Sequence, residues 1–113
     1  MQKKILIIGG TGFIGYHLAS RCKKLNWKIV SVSTKNPIKK RRLKKVRYKI
    51  FDISIKKNLA NIAKYKYDYV VNLGGYVDHI NKVKTYRAHY LGAKNLFKVF
   101  KNKKLESFIQ IGS

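Results

Sequence analysis

A glycine-rich turn between a predicted strand and a predicted helix constrains the fold of this chain more than any other feature. The turn reads Gly9-Gly10-Thr11-Gly12-Phe13-Ile14-Gly15 and follows the apolar run Ile5-Leu6-Ile7-Ile8. Such a continuous run is typical of a strand that is covered on both faces of a parallel sheet. Beyond the turn, residues recur at helical spacing and predict a helix from about residue 12 to about residue 26. The residues predicted to face the core are Ile14, Leu18, Cys22 and Leu25.

The rest of the chain continues this alternation of strands and helices. Further strands are predicted at residues 28–33, 46–51, 69–73 and 108–111, with a brief helix marked by Leu59, Ile62 and Ala63. A longer helix carries Ala88, Gly92, Leu96, Val99 and Phe100 on one face, and Gly92 is expected to let it approach the sheet closely. The pattern predicts the α/β class: an open, doubly wound parallel sheet of about five strands with helices on both faces.

The chain has 113 residues, of which 45% are hydrophobic, so it can bury one modest core. We expect one domain over residues 1–113. No apolar run approaches the roughly 20 residues that span a bilayer, and the single cysteine suits a reducing compartment. A cytoplasmic protein with no membrane partner is therefore expected.

The strongly basic composition, with 27 Lys and Arg against 4 Asp and Glu, gives a formal charge of +23. Such a balance normally indicates a nucleic-acid partner. The lysines are spread along the whole chain beside abundant Ile, Asn and Tyr, which favours codon bias in an AT-rich genome as their cause. We therefore expect no specific nucleic acid, and rank nucleic-acid binding last among the functions. The densest basic segment is Lys39, Lys40, Arg41, Arg42, Lys44 and Lys45.

The position of the glycine turn gives it a chemical meaning. In a Rossmann-type fold, a turn of the form Gly-x-Gly-x-x-Gly between the first strand and first helix binds the pyrophosphate of a dinucleotide. The first glycine permits the tight turn, Gly12 lets backbone N–H groups approach the phosphates, and Gly15 lets the helix lie close to the sheet. The helix N-terminus adds the positive end of its dipole.

The tip of the second strand normally distinguishes the two nicotinamide dinucleotides. An acidic residue there favours NAD, whereas a basic residue favours the 2′-phosphate of NADP. Here the tip reads Ser33-Thr34-Lys35, without an acid, and Arg41 or Arg42 could fold back towards it. NAD and NADP both remain open, and these residues favour NADP.

With these motifs, the whole chain resembles the NAD-dependent epimerase/dehydratase family, the extended short-chain dehydrogenases/reductases. The glycine turn is similar to the nucleotide turn of that family. Asp52-Ile53 resembles the position where the family places an aspartate on the adenine ring, and Asn72-Leu73-Gly74-Gly75 its Asn-Leu-Ala-Ala-like stretch along the cofactor. Residues 89–96 resemble its Asn-x-x-Gly-x-x-Asn-Leu helix, with His89 in place of the first Asn.

The resemblance implies an enzyme that oxidises and re-reduces a carbon of a nucleotide sugar by transient hydride transfer. Phe108-Ile109-Gln110-Ile111-Gly112-Ser113 is similar to the family's fifth strand, which places Ser113 on the hydroxyl residue that polarises the substrate oxygen. The family's Tyr-x-x-x-Lys base follows that strand and is not in the chain. Tyr90 and Lys94 match its spacing, but they precede the strand and are interpreted as coincidence.

The sequence is therefore expected to be the N-terminal, dinucleotide-binding part of a longer enzyme. The isolated 113 residues should be inactive, whereas the full-length protein could form a homodimer. The alternative is a regulatory Rossmann protein that holds NAD(P) without chemistry. No metal site is expected, because His17, Asp78 and His79 lack partners at ligand spacing.

Overall fold

The computed structural model of the chain describes residues 2–73 and 90–111. Within these ranges, five parallel strands form one sheet in the order β3-β2-β1-β4-β5. The strands are β1 (Lys4–Ile8), β2 (Lys28–Ser33), β3 (Val46–Ile50), β4 (Tyr69–Asn72) and β5 (Ser107–Gln110). The Rossmann-type α/β fold predicted from the sequence is confirmed.

The last three strands end one residue earlier than the sequence patterns predict. Even so, the first residue beyond each of these strands still donates a backbone N–H bond to the neighbouring strand. These residues are Phe51, Leu73 and Ile111, with N···O distances of 3.0, 2.9 and 3.1 Å. The pattern therefore located the hydrogen-bonded segment correctly, and only the formal strand boundary differs.

Helices cover the two faces of the sheet. On one face lies α1 (Phe13–Lys24), whose Ala19 and Cys22 pack in a buried cluster with Ile5 and Ile7 of β1. On the other lie α2 (Ala60–Ala63) and α3 (Gly92–Phe100), whose residues share a second buried cluster with the alternate strand positions. Short 3₁₀ turns at Lys39–Arg41 and Lys56–Leu59 complete the described elements. None of the helices described has the length and apolarity to cross a membrane.

The predicted buried face of α1 was partly wrong. Cys22 is buried as expected, but Ile14 and Leu25 are 63% and 53% exposed. The fully buried residues of the helix are the small ones, Gly15, Ala19 and Cys22, and Leu18 is half-buried and packs against the same cluster as predicted. Because the helix lies close to the strands, the interface accepts small side chains and leaves the larger apolar ones at the rim.

The expected role of Gly92 also needs correction. A Cβ atom at this position would lie 2.9 Å from Cδ1 of Ile53, in the loop after β3. Leu96 and Phe100 are buried as predicted, and Val99 packs against the same cluster while staying partly exposed. Gly92 thus allows α3 to approach the β3 loop rather than a strand of the sheet, and Ala88 lies outside the described residues.

Candidate cofactor-binding site

The predicted site residues that the structure describes lie at one edge of the sheet, where the parallel strands end. The glycine turn follows β1, Ser33 ends β2, Asp52 follows β3 and Leu73 follows β4. Backbone bonds tie these ends together: Gly9 N–H donates to Val32 O at 2.7 Å, and Leu73 N–H to Ile8 O at 2.9 Å. Ligands of open α/β sheets bind in the crevice outside the carboxyl ends of the strands. We refer to this region as the carboxyl edge.

The glycine turn closes on itself before the helix begins. Gly9 has φ of 84°, a left-handed conformation that glycine adopts without steric cost. Its carbonyl oxygen accepts the Gly12 N–H at 3.3 Å, and the Gly12 carbonyl accepts the Tyr16 N–H at 2.9 Å. The chain therefore turns sharply at Gly9 and enters α1 directly after Gly12.

Two glycines of the turn are required by packing alone. A Cβ on Gly15 would lie 2.5 Å from both the Cα of Gly10 and the carbonyl oxygen of Gly9. A Cβ on Gly10 would lie 2.2 Å from Oγ of Ser31, a buried residue of β2. Both distances are far below van der Waals contact. The backbone of the turn therefore excludes a side chain at position 15, and Ser31 excludes one at position 10.

Gly12 differs from the other glycines because the fold does not explain it. A Cβ at this position would come no closer than 3.7 Å to another atom outside its immediate neighbours, and the residue is exposed. Its φ of −78° is accessible to any amino acid. The space in front of Gly12 is thus open, at the N-terminus of a 12-residue helix.

The next two residues of the turn also face outwards. Phe13 is 62% exposed and Ile14 is 63% exposed. They begin α1, where backbone N–H groups have no partner within the helix and the helix dipole is positive. No side chain caps this end of α1. The arrangement can hold an anionic group such as a phosphate.

The tip of β2 lies next to the glycine turn. Ser33 Oγ accepts the Thr11 N–H at 3.4 Å, while Thr34 and Lys35 are exposed beyond it. The 3₁₀ turn after β2 brings the Arg41 guanidinium 5.7 Å from the centre of the Phe13 ring. Arg42 instead lies over the ring of Tyr48, at 4.9 Å. Of the two arginines singled out in the sequence, Arg41 is the one that contacts the turn.

Asp52 and Ile53 form a compact turn after β3. Oδ1 of Asp52 accepts the Ser54 N–H at 2.8 Å, which fixes the half-buried carboxylate against its own backbone. Nδ2 of Asn95 on α3 donates to the Ile53 carbonyl at 2.9 Å. The side chain of Ile53 packs into the core beside Gly92. The Ile53 side chain therefore belongs to the core, while the Asp52 carboxylate is held within the turn that follows β3.

Of the remaining predicted site residues, the structure describes only some. Leu73 is half-buried and packs in the same cluster as Ile5 and Ile7. Gly74, Gly75, His89 and Ser113 lie outside the described residues. Their predicted roles remain predictions.

Two residues with no role predicted from the sequence, Ser31 and Asn95, pack against or hydrogen-bond to the turns of the site. Ser31 is 1% exposed, and its Oγ has no hydrogen-bond partner among the described residues. It fills the space beneath Gly10. Asn95 belongs to the helix motif quoted above, but only the folded chain shows that it holds the Asp52 turn. A serine inside a strand gives no signal of such a contact.

Among the described residues, no group of three or more His, Cys, Asp or Glu side chains could hold a metal ion. Burial raises the pKa of the Cys22 thiol, which lies in the core under α1 and away from the turn. The chemistry of the described site is therefore that of backbone N–H groups, small hydroxyls, one carboxylate and one nearby guanidinium.

Known proteins resemble this chain in family and in fold. The profile of the NAD dependent epimerase/dehydratase family matches residues 5–113. A search of curated proteins finds no significant match.

Solved structures of similar fold include the epimerase Mth375 of Methanothermobacter thermautotrophicus, with 20% identity and a TM-score of 0.84 over 96% of this chain and 34% of that one. The UDP-glucose 4-epimerase of Thermotoga maritima, solved with UDP-glucose, has 17% identity and a TM-score of 0.85 over 95% and 37%. WbmF of Bordetella bronchiseptica, solved with NAD+, has 22% identity and a TM-score of 0.82 over 96% and 36%.

The chain thus spans little more than a third of each of these structures. At this level of identity they share its fold. The family profile covers almost the whole sequence, from the first strand through the glycine turn to the final residue. The chain belongs to the NAD-dependent epimerase/dehydratase family.

Proposed function

We propose that this chain is the dinucleotide-binding part of an NAD(P)-dependent nucleotide-sugar epimerase or dehydratase. The bound nicotinamide would supply transient hydride transfer at a sugar carbon. The isolated chain is expected to bind the dinucleotide and to catalyse nothing. Detectable epimerase turnover by the 113 residues alone would contradict this statement.

The observation that carries the proposal is the open space at Gly12. Packing or backbone conformation accounts for Gly9, Gly10 and Gly15, whereas nothing within the described residues requires a glycine at position 12. A ligand that lies against the backbone there would require one. The N–H groups at the start of α1 face the same space, which suits a pyrophosphate.

The other residues of the carboxyl edge fit the rest of a dinucleotide. Ser33, Thr34 and Lys35 would lie along the adenosine ribose, and the Asp52 turn would border the adenine. Leu73, with the predicted Gly74 and Gly75, would line the path towards the nicotinamide. These assignments follow the order of the strand ends in the sheet, β3-β2-β1-β4-β5.

For the choice of cofactor we propose NADP, with NAD as the alternative. The β2 tip carries Lys35 and no acid, and Arg41 lies against Phe13 of the turn. A guanidinium in this position can pair with a 2′-phosphate in bidentate fashion. WbmF, by contrast, was solved with NAD+. Since that chain shares only 22% identity, the two cofactors must be compared directly.

A nucleotide sugar is the proposed substrate of the complete enzyme, as it is the ligand solved with the Thermotoga maritima epimerase. Ser113 would help to polarise the reacting oxygen, together with a Tyr-x-x-x-Lys base supplied beyond this chain. A homodimer and a cytoplasmic location are further proposals. The coding DNA past the Ser113 codon tests the base: an open frame with Tyr-x-x-x-Lys some 20 to 30 residues on is expected.

Direct titration tests the dinucleotide site. NADH and NADPH fluorescence should change on adding the wild-type chain. The variant Gly12→Ala should weaken binding at least about tenfold, or about 1.4 kcal/mol, because the new methyl group occupies the approach to the backbone. Asn102→Ala, an exposed position after α3, is the matched control. Absence of binding by the wild type, or unchanged binding by Gly12→Ala, would refute the proposal.

A further inference from the structure

On the face of the sheet that α2 and α3 cover, towards the edge where the strands begin, several positive charges lie around one aromatic ring. Three ammonium groups lie over the ring of Tyr65: Lys49 Nζ at 4.6 Å, Lys4 Nζ at 5.0 Å and Lys64 Nζ at 5.4 Å from its centre. Tyr65 is half-buried and packs against the core. Each group gains from the electron-rich face of the ring. Three like charges nevertheless remain within a short distance of one another.

Strand register extends this group into a row. Lys4 of β1 is paired with Lys28 of β2, and Arg47 and Lys49 of β3 are paired with Val30 and Val32. Because side chains alternate across a strand, all four cations project from the face that carries Leu6, Val30 and Val32. Arg47 and Lys49 lie two and four residues beyond the level of Lys28, so the row runs diagonally across three strands and extends about 13 Å along them. We call Lys4, Lys28, Arg47, Lys49 and Lys64 the amino-edge cluster.

The described carboxylates leave this cluster unneutralised. Glu106 pairs with Lys3 and accepts from the Tyr69 hydroxyl. Oδ2 of Asp68 accepts the backbone N–H of Lys4 at 2.8 Å, and Asp52 lies at the carboxyl edge. Within residues 2–73 and 90–111, the only ion pair is that of Lys3 and Glu106.

The repulsion is visible at Lys4. Its pKa is lowered, first by burial and then by the charges of Lys28, Arg47 and Lys49. The Debye length at physiological ionic strength is about 8 Å, so salt does not screen charges at these separations effectively. An external anion would relieve this repulsion.

We propose that the amino-edge cluster binds the phosphate backbone of a single-stranded nucleic acid without regard to sequence. A row of cations matches a chain of phosphates better than a single anion. Tyr65 lies in the middle of the row, and surfaces that bind single strands combine such cations with aromatic rings on which bases stack. When phosphates bind the ammonium groups and move them away from the Tyr65 ring, a base can stack on the face of that ring. This activity is separate from the cofactor site at the carboxyl edge.

The test is binding of a labelled oligothymidylate of about 20 nucleotides, longer than the about 4–16 nucleotides that one OB fold covers. The variant Lys4→Gln/Lys49→Gln/Lys64→Gln is compared with the control Arg21→Gln/Lys23→Gln/Lys24→Gln. The control removes the same charge from the last turn of α1, on the other face of the sheet. Fluorescence anisotropy is measured at several salt concentrations, and thermal unfolding verifies that each variant is folded.

The cluster variant is expected to lose on the order of 100-fold in affinity at about 50 mM salt, with the slope of log K against log salt reduced by about 2. The control should retain most of the affinity. Equal losses in both variants would show that net charge alone drives binding, and would overturn the proposal.

Tyr65→Leu separates nucleic acid from other phosphate chains. It should weaken oligothymidylate binding about tenfold, since stacking contributes about 1–3 kcal/mol per base in such proteins, and leave inorganic polyphosphate binding unchanged. Binding of polyphosphate but not of the oligonucleotide would also overturn the proposal. So would the absence of any binding by the wild type at low salt.

Discussion

The two edges of the sheet present different chemical groups. The carboxyl edge is mainly backbone: a turn with Gly9 at positive φ and an open space at Gly12. The amino edge is mainly long side chains, with three ammonium groups around Tyr65. A backbone site is encoded by consecutive residues, whereas the amino-edge cluster joins residues from position 4 to position 64. The site at the carboxyl edge can therefore be predicted from the sequence. The amino-edge cluster is apparent only when the register of the strands is known.

The largest expected effect concerns the backbone edge. Gly15→Ala should lower the free energy of unfolding by about 3 kcal/mol, because its methyl group would overlap the Gly9 carbonyl and the Gly10 Cα. Gly12→Ala should lower it by less than about 1 kcal/mol. Urea unfolding followed by the fluorescence of Trp27, the single tryptophan, measures both. Similar losses in the two variants would mean that Gly12 is also structural and would remove the main support for the cofactor site.

The next effect distinguishes two adjacent arginines. Arg41→Ala should weaken NADPH binding about tenfold, or about 1.4 kcal/mol, and leave NADH binding nearly unchanged. Arg42→Ala is the matched control, since its side chain lies over Tyr48 rather than the glycine turn. Isothermal titration calorimetry with both cofactors gives the four affinities. If NADH binds more tightly than NADPH to the wild type and Arg41→Ala changes neither, the proposed preference for NADP is wrong.

A smaller effect is expected at the charged edge. Burial and neighbouring cations lower the pKa of Lys4, so its charge opposes folding at neutral pH. Lys4→Gln should therefore raise the free energy of unfolding by about 0.5 kcal/mol. Lys24→Gln, at an exposed position in the last turn of α1, should not raise it. A stability loss in Lys4→Gln would show that the contacts with Tyr65 and Tyr67 outweigh the repulsion.

The smallest effect is a pH dependence at the same edge. Hydrogen bonds from Lys3 and Tyr69 lower the pKa of Glu106 below its ordinary value of 4.5. Its contribution to stability is complete above that value and is lost as pH falls through the lowered pKa. Thermal unfolding between about pH 3 and about pH 6 should thus show a shallower acid decline in Glu106→Gln than in the wild type. Parallel curves would mean that the exposed pair contributes nothing measurable.

Most of the fold could be predicted from the sequence because its signals are local. The apolar run of β1, the glycine turn and the change to helical spacing lie within about twenty residues and lead to one topology. The inward face of α1 was only partly predicted, because hydrophobic periodicity emphasises large apolar residues. Cys22 is buried as predicted, but Gly15 and Ala19, whose small size permits close packing, complete the buried face.

The candidate site was predictable to the extent that it follows the ends of strands. The glycine turn, Ser33 and Asp52 meet at one edge as expected, since all the strands are parallel. The link between Asn95 and the Ile53 carbonyl and the distinction between Arg41 and Arg42 were not predictable. Both depend on how a helix or loop folds back onto the edge, and no periodicity in the chain records that.

The contact between Gly10 and Ser31 restricts how the sequence can diverge. A methyl group at position 10 would occupy the space of the Ser31 hydroxyl, and a larger residue at position 31 would push into the turn. The two positions are 21 residues apart, yet a side chain at position 10 needs a smaller residue at position 31. The two substitutions are therefore coupled, and Gly10→Ala should destabilise the chain less when it is combined with Ser31→Gly than when it is made alone.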